Sequence, residues 1–128
     1  MADSKERGIM LLSTTTVALN GNGTTVIYTV PLTKRCILAF AILVLGADAG
    51  TTDVQIGQNG ATSDFCGPNA LDNIDAQYDA CILQPMPVDT PGAVTLLKSY
   101  AAETDIEIEV TNQAGGATNT LYLYGMIY

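Results

Sequence analysis

From Gly8 onward, short stretches rich in Val, Ile, Leu and Thr are broken by clusters of Gly, Asn, Asp and Pro at roughly eight- to twelve-residue intervals, the punctuation of a protein built from short strands. No helical period lasts beyond two turns. The pattern predicts eight or nine strands in an all-β, antiparallel β-sandwich, jelly-roll-like, with at most one short helix. A first strand over 8–19 ends at Asn20-Gly21-Asn22-Gly23, whose Asn-Gly pairs predict a hairpin with 24–30 as the antiparallel partner, stopped by Pro31. Residues 36–45 are apolar at every position, which predicts a central strand with one face in the core and the other against a neighbouring layer or subunit.

Further along, 53–58 alternates Val54 and Ile56 inward with Asp53 and Gln55 outward, and 62–66 reads as a short edge strand before Gly67-Pro68. The single helical candidate is 69–79, where Leu71, Ile74 and Tyr78 fall at i, i+3 and i+7 and Asn69 serves as cap. A buried strand over 80–84 ends at Pro85-Met86-Pro87, and Pro91-Gly92 leads into another over 93–100. Residues 105–110 show the strictest alternation in the chain, and a Gly- and Asn-rich turn over 112–119 precedes a last strand over 120–128. The organisation expected is an N-terminal arm, 1–7, followed by one sandwich domain, 8–128. The arm is the most polar stretch and carries Lys5 and Arg7, so it is expected to be ordered by a neighbouring subunit or shell protein; the alternative is anchorage to its own sheet through 8–12.

Charge narrows the partners. Thirteen acids against five bases give a net charge of −8, which disfavours nucleic acid, whose affinity comes from Lys and Arg on phosphates, and likewise an anionic membrane. The 36–45 run is about half the length a spanning helix needs, and the apolar start breaks at Ser13 with no cleavage site for a signal peptide. Histidine and tryptophan are absent, which removes Ser-His and Cys-His catalysis and the commonest metal ligand. No G-x-S-x-G turn or phosphate loop occurs, so no enzyme activity, cofactor or metal is expected. Cys36, Cys66 and Cys81 are odd in number with no C-x-x-C spacing, so at least one thiol is expected to be unpaired; Cys36 and Cys81, inside apolar runs, are expected to be small buried hydrophobes, as in a reducing compartment.

Three constellations bear on function. Asp105, Glu107 and Glu109 project from one strand face, either as a cation site or as a solvated face guarding a sheet edge. The acidic segment 72–79 fails as a calcium loop, since Ile74 and Ala76 take ligand positions and Gln77 replaces the turn glycine. In the last strand, Leu121, Leu123, Gly125 and Ile127 share one face, while Tyr122, Tyr124, Met126 and Tyr128 share the other. A stripe of tyrosines and a methionine is favoured in buried interfaces; the alternatives are cover by another segment of the chain or a sugar-stacking platform.

The stretch from Arg35 to Gly57, RCILAFAILVLGADAGTTDVQIG, and the ending TLYLYGMIY resemble small β-sandwich proteins of tailed bacteriophage virions, most of all capsid decoration or cement proteins. The likeness lies in strand and turn style over most of the length and carries no diagnostic motif, so no site residue comes from it. It implies a structural protein of the virion, assembled in the host cytoplasm, that sits on the outer shell as a homo-oligomer, often a trimer, with the major capsid protein as partner. Tail or neck components and a carbohydrate-binding module remain the alternatives.

Overall fold

The computed structural model describes residues 8–85 and 92–128; the predicted arm with Lys5 and Arg7 lies outside the described residues. Among the described residues there are nine strands: β1 (Met10–Val17), β2 (Gly23–Thr29), β3 (Cys36–Val44), β4 (Asp53–Gln58), β5 (Ala61–Ala70), β6 (Ala80–Leu83), β7 (Ser99–Tyr100), β8 (Asp105–Thr111) and β9 (Asn119–Ile127). They form two antiparallel sheets, a five-stranded one in the order β1-β9-β3-β6 with β7 also pairing β3, and a four-stranded one in the order β2-β8-β4-β5. The pairs β1/β9, β2/β8, β3/β6 and β4/β5 wrap together, and the chain crosses between sheets at almost every connection, which is the jelly-roll-like interleaving expected.

Between the sheets lies one apolar core. Leu38, Ala41, Leu43, Leu121 and Leu123 reach into it from the first sheet and Val54, Ile56, Ile106, Ile108 and Val110 from the second, all nearly or wholly buried. The all-apolar run therefore becomes a central strand, with Cys36, Leu38, Ala41 and Leu43 inward and Ile37, Phe40, Ile42 and Val44 outward. An irregularity between Leu38 and Phe40 resets the alternation. Gly125 of β9 sits against it, and a Cβ there would come within 2.6 Å of the Ile37 carbonyl oxygen, so only glycine lets the two strands close at this point.

The predicted hairpin does not form. β1 pairs β9 and β2 pairs β8, so the Asn-Gly turn is a corner between sheets. Neither Asn20 nor Asn22 takes the positive φ of a two-residue hairpin turn. The backbone N–H of Leu19 donates to Gly116 O and that of Gly115 to Leu19 O, and Asn22 and Gln113 exchange side chain to backbone bonds. These contacts with the 112–118 turn outcompete local pairing, and Leu19 is fully buried.

The helix expected over 69–79 is absent too. β5 extends through Ala70, and the Asp79 carboxylate accepts from the backbone N–H groups of Asp75 and Ala76, closing a tight turn. Tyr78 N–H donates to Leu45 O and Leu45 N–H to Asp79 O, which holds the chain beside the end of β3. Leu71 is buried and Ile74 packs against the core, but Tyr78 points out with a φ of 73°. Two strand expectations are also corrected. Of 93–100 only Ser99–Tyr100 is a strand, and β6 is an edge strand in which Leu83 alone is buried. The 62–66 edge strand grows to Ala61–Ala70, with Pro68 tolerated because no strand follows β5 in the order.

Candidate assembly surface

The first sheet turns a second apolar face outward. Register places Tyr122 opposite Ile42, Tyr124 opposite Phe40 and Met126 opposite Ile37, and directly opposed residues share a sheet face. On the flanks, Thr14 faces Tyr122, Leu11 faces Tyr124 and Ile82 faces Ile42. The Phe40 and Tyr124 rings stack with centroids 4.8 Å apart. The central side chains are half-buried by one another, whereas Leu11 and Ile82 are 46% and 53% exposed. Among the described residues no helix or third sheet lies over this face. None of the five strands contains an Asp, Glu, Lys or Arg, on a chain of net charge −8.

Three of the four predicted stripe residues, Tyr122, Tyr124 and Met126, therefore lie together in the middle of this face. Tyr128 lies just past β9 at its rim, half exposed, where its hydroxyl and the Ser99 hydroxyl are 2.9 Å apart and Arg35 Nε donates to Ser99 Oγ. Phe40, Ile42, Ile37, Leu11 and Ile82 complete the face and were not singled out from the sequence. The signal for three of them was present, since a strand apolar at every position must turn half its side chains away from the core.

The outer face of the second sheet is the opposite in character. Asp105 accepts from Thr29 Oγ1 at 2.7 Å, Glu107 from Asn59 Nδ2 at 3.3 Å, and Glu109 from both Thr62 Oγ1 and Gln55 Nε2. Ile106, Ile108 and Val110 alternate with these into the core, as expected. The strand is not an edge, because β8 lies between β2 and β4, so the acids do not guard a sheet margin. Residues two apart on a strand are separated by roughly 6.5 Å, too far for three carboxylates to close on one ion, and no group of three His, Cys, Asp or Glu among the described residues is placed to hold a metal.

A polar cluster joins the sheets at one edge. Asp64 of β5 accepts from Tyr100 Oη at 2.8 Å, from Gln58 Nε2 at 2.7 Å and from Gln58 N–H, and forms an ion pair with Lys98 at 2.7 Å. Burial pulls its carboxyl upward, but the bonds from Lys98, Tyr100 and Gln58 prevail and hold it below the usual range. Burial first, and Asp64 second, push the Tyr100 hydroxyl up. The three cysteines are free thiols, and burial raises Cys36 to about 11. No helix of the described residues is long and apolar enough to cross a membrane.

No protein-family model matches the chain, and no curated protein matches it either. Among solved structures it is similar to a chain of the cyanophage Pam1 capsid asymmetric unit, with a TM-score of 0.56 and 15% identity over 92% of this chain and 84% of that one. It is similar as well to a chain of the acidic stable capsid structure of Helicobacter pylori bacteriophage KHP30, with a TM-score of 0.58 and 12% identity over 94% of this chain and 92% of that one. At such identities the likeness is one of fold, and the fold is one found in the capsids of bacteriophages.

Proposed function

We propose that the protein is a structural, non-enzymatic component of a phage virion, a capsid decoration or cement protein that binds the outer shell and braces it as a homo-oligomer, a trimer. The observation that carries this reading is the charge-free apolar outer face of the first sheet on an otherwise acidic molecule. Water-exposed acids on a body of net charge −8 repel a second copy, so copies meet at lowest cost where no acid stands. Four strands spaced by about 4.8 Å and eight residues rising about 3.3 Å each give a flat apolar area near 500 Å² per copy, to which the rim and the arm add toward the roughly 1,000 Å² that a specific interface needs. Tyr122, Tyr124, Met126 and Tyr128 supply the contact, joined by Phe40 and Ile42. The arm with Lys5 and Arg7 is proposed as a second contact, toward a neighbouring subunit or the major capsid protein. The capsid fold shared with the two phage structures supports the virion setting.

A tail or neck position fits the same surface. A carbohydrate-binding module fits it less well, because sugar sites place aromatics on concave faces or loop tips, and here the one aromatic exposed in an inter-strand loop, Tyr78, stands alone. Electron microscopy of the parent particle tests the proposal. Density for this chain on the shell, bridging coat subunits, is the expected result; density confined to tail tips, with saturable glycan binding, overturns it. Light scattering on the isolated protein tests the oligomer directly, against a monomer mass of 13.4 kDa.

A further inference from the structure

We propose that residues 92–97 form an apolar knob that seats on the outer face of the first sheet of a neighbouring copy, so that knob and face are the unlike halves of one repeated contact. The inference rests on the proposed trimer and deepens it. In a closed ring of three, every contact joins two different patches of the chain, whereas a patch that meets itself closes a pair about a two-fold axis. The outer face around Phe40 and Tyr124 is therefore one half of a trimer contact, and the chain must carry the other half elsewhere.

The sheet edge beside β3 shows where. β6 and β7 both pair antiparallel with β3 on the side away from β9, with Leu83 opposite Ala41 and Ser99 opposite Ile37, so they are two pieces of one strand line. Only Leu38, Ala39 and Phe40 separate the two registers, yet the chain leaves at Gln84 and returns at Lys98. Pro85 follows β6, and residues 92–98 are all exposed, with Val94 at 74%, Leu96 at 80% and Leu97 at 49%. No other four-residue stretch of the described residues holds three exposed large hydrophobic side chains. The pattern of 93–98 is that of a strand, but pairing begins only at Ser99, and a local preference left unmet in one chain marks a segment that works against a partner. The base is pinned. Lys98 Nζ lies 2.7 Å from the Asp64 carboxylate of β5 and over the Tyr100 ring, and the Ser99 hydroxyl accepts from Arg35 Nε.

Chemistry selects the occupant. Residues 92–97, Gly-Ala-Val-Thr-Leu-Leu, carry no charge and one side-chain hydroxyl, so the surface that receives them must hold no charge that burial would strip of water. The outer face of the first sheet meets that condition across Ile37, Phe40, Ile42, Tyr122 and Tyr124, with no Asp, Glu, Lys or Arg in any of its strands. The outer face of the second sheet, with Asp105, Glu107 and Glu109 on its β8, does not. Size agrees with this choice. A flat face by itself falls short of a specific interface, and aliphatic side chains that project from a neighbour add the buried area that a flat sheet lacks.

Coexpression of two singly substituted chains tests the contact, one carrying Leu96→Cys and the other Ile42→Cys or Tyr124→Cys, distinguished by tags of different size and oxidised with copper-phenanthroline. The expected result is a mixed disulfide roughly tenfold more abundant than any cross-link formed by one chain expressed alone, including the unsubstituted protein, whose own thiols are buried or half-buried. Leu96→Asp is expected to lower the oligomer mass toward the 13.4 kDa of one chain with an unchanged far-ultraviolet spectrum, because the side chain stands in solvent in the single copy. Tyr78→Asp, at a site 78% exposed beside the opposite end of β3, is expected to leave the mass as it is. An oligomer whose mass Leu96→Asp does not change, or Tyr124→Cys chains that cross-link to themselves with no mixed product, overturns the knob and leaves the homo-oligomer standing. A parent protein of monomer mass at micromolar concentration overturns the homo-oligomer and the knob with it.

Discussion

Phe40 of β3 and Tyr124 of β9 stack on the outer surface of the first sheet, with ring centroids 4.8 Å apart and planes inclined by 20°. The offset pair presents a flat aromatic platform in the middle of a charge-free sheet, and a charge placed there has no compensating partner on any of the strands of that sheet. Tyr124→Glu is therefore expected to break the outer-face contact of the proposed homo-oligomer and lower its mass while the β-rich far-ultraviolet spectrum persists, because the side chain is only half-buried and faces away from the core. Light scattering at micromolar concentration reads the outcome. An unchanged mass for Tyr124→Glu places the oligomer contact elsewhere.

Acid is expected to loosen the edge where Asp64 joins the sheets. The carboxyl of Asp64 is held below its ordinary value in the folded protein, so the folded state binds its proton less readily than the unfolded chain does. The stabilisation is complete above the unfolded value, about 3.9, and is lost as pH falls through the lower folded value. Asp64→Asn should thus lower the melting temperature at pH 7 but narrow the gap to the parent protein below about pH 4. Tyr100→Phe removes one donor to a carboxylate and is expected to cost about 1–2 kcal/mol at pH 7. A gap between Asp64→Asn and parent that is the same at pH 3 and pH 7 would contradict this account.

Much of the fold was legible because it rests on period two. Leu121, Leu123, Ile106 and Ile108 go inward and their neighbours outward, as the alternation dictates. The stripe of Tyr122, Tyr124 and Met126 was legible for the same reason. What was not legible depends on partners distant in sequence. The Asn-Gly turn after β1 looks like a hairpin until the contacts of Leu19 with Gly115 and Gly116 are known, and no local pattern contains them. The helical spacing of Leu71, Ile74 and Tyr78 was defeated by two bonds to Leu45 and by the Asp79 carboxylate capping Asp75 and Ala76. Ile82 and Leu11 join the outer face only through register, which sequence does not print.

Gly125 fixes how closely β9 approaches β3. Gly125→Ala drives a methyl group to within 2.6 Å of the Ile37 carbonyl oxygen and 2.9 Å of a Leu12 methyl, and the first of these is backbone that cannot rotate away. Overpacking of this kind costs about 1–3 kcal/mol, which for a chain of this size lowers the melting temperature by roughly 3–12 °C. Calorimetry of the purified variant measures it. The Gly67→Ala variant is the control, because a Cβ there meets nothing within 4 Å, and it is expected to stay within about 1 °C of the parent.

The cysteines separate by burial rather than by number. Cys36 is fully buried, flanked in the sheet by Tyr100 on one side and Ile127 on the other, and burial lifts its thiol to about 11, so at pH 8 only about one molecule in a thousand carries the thiolate that reacts. Burial also raises Cys66 and Cys81, with Asn69 Nδ2 donating to Cys66 Sγ at 2.8 Å to oppose the shift at Cys66. Cys81, on the edge strand β6, is the only one of the three that is partly exposed. Iodoacetamide at pH 8 is therefore expected to label Cys81 first in the folded protein and Cys36 last, while the protein in guanidinium labels all three at one rate. Peptide mass mapping over time distinguishes the sites. Labelling of Cys36 as fast as Cys81 under native conditions would mean that β3 opens readily at its start, which the pairing of Cys36 with both Tyr100 and Ile127 argues against.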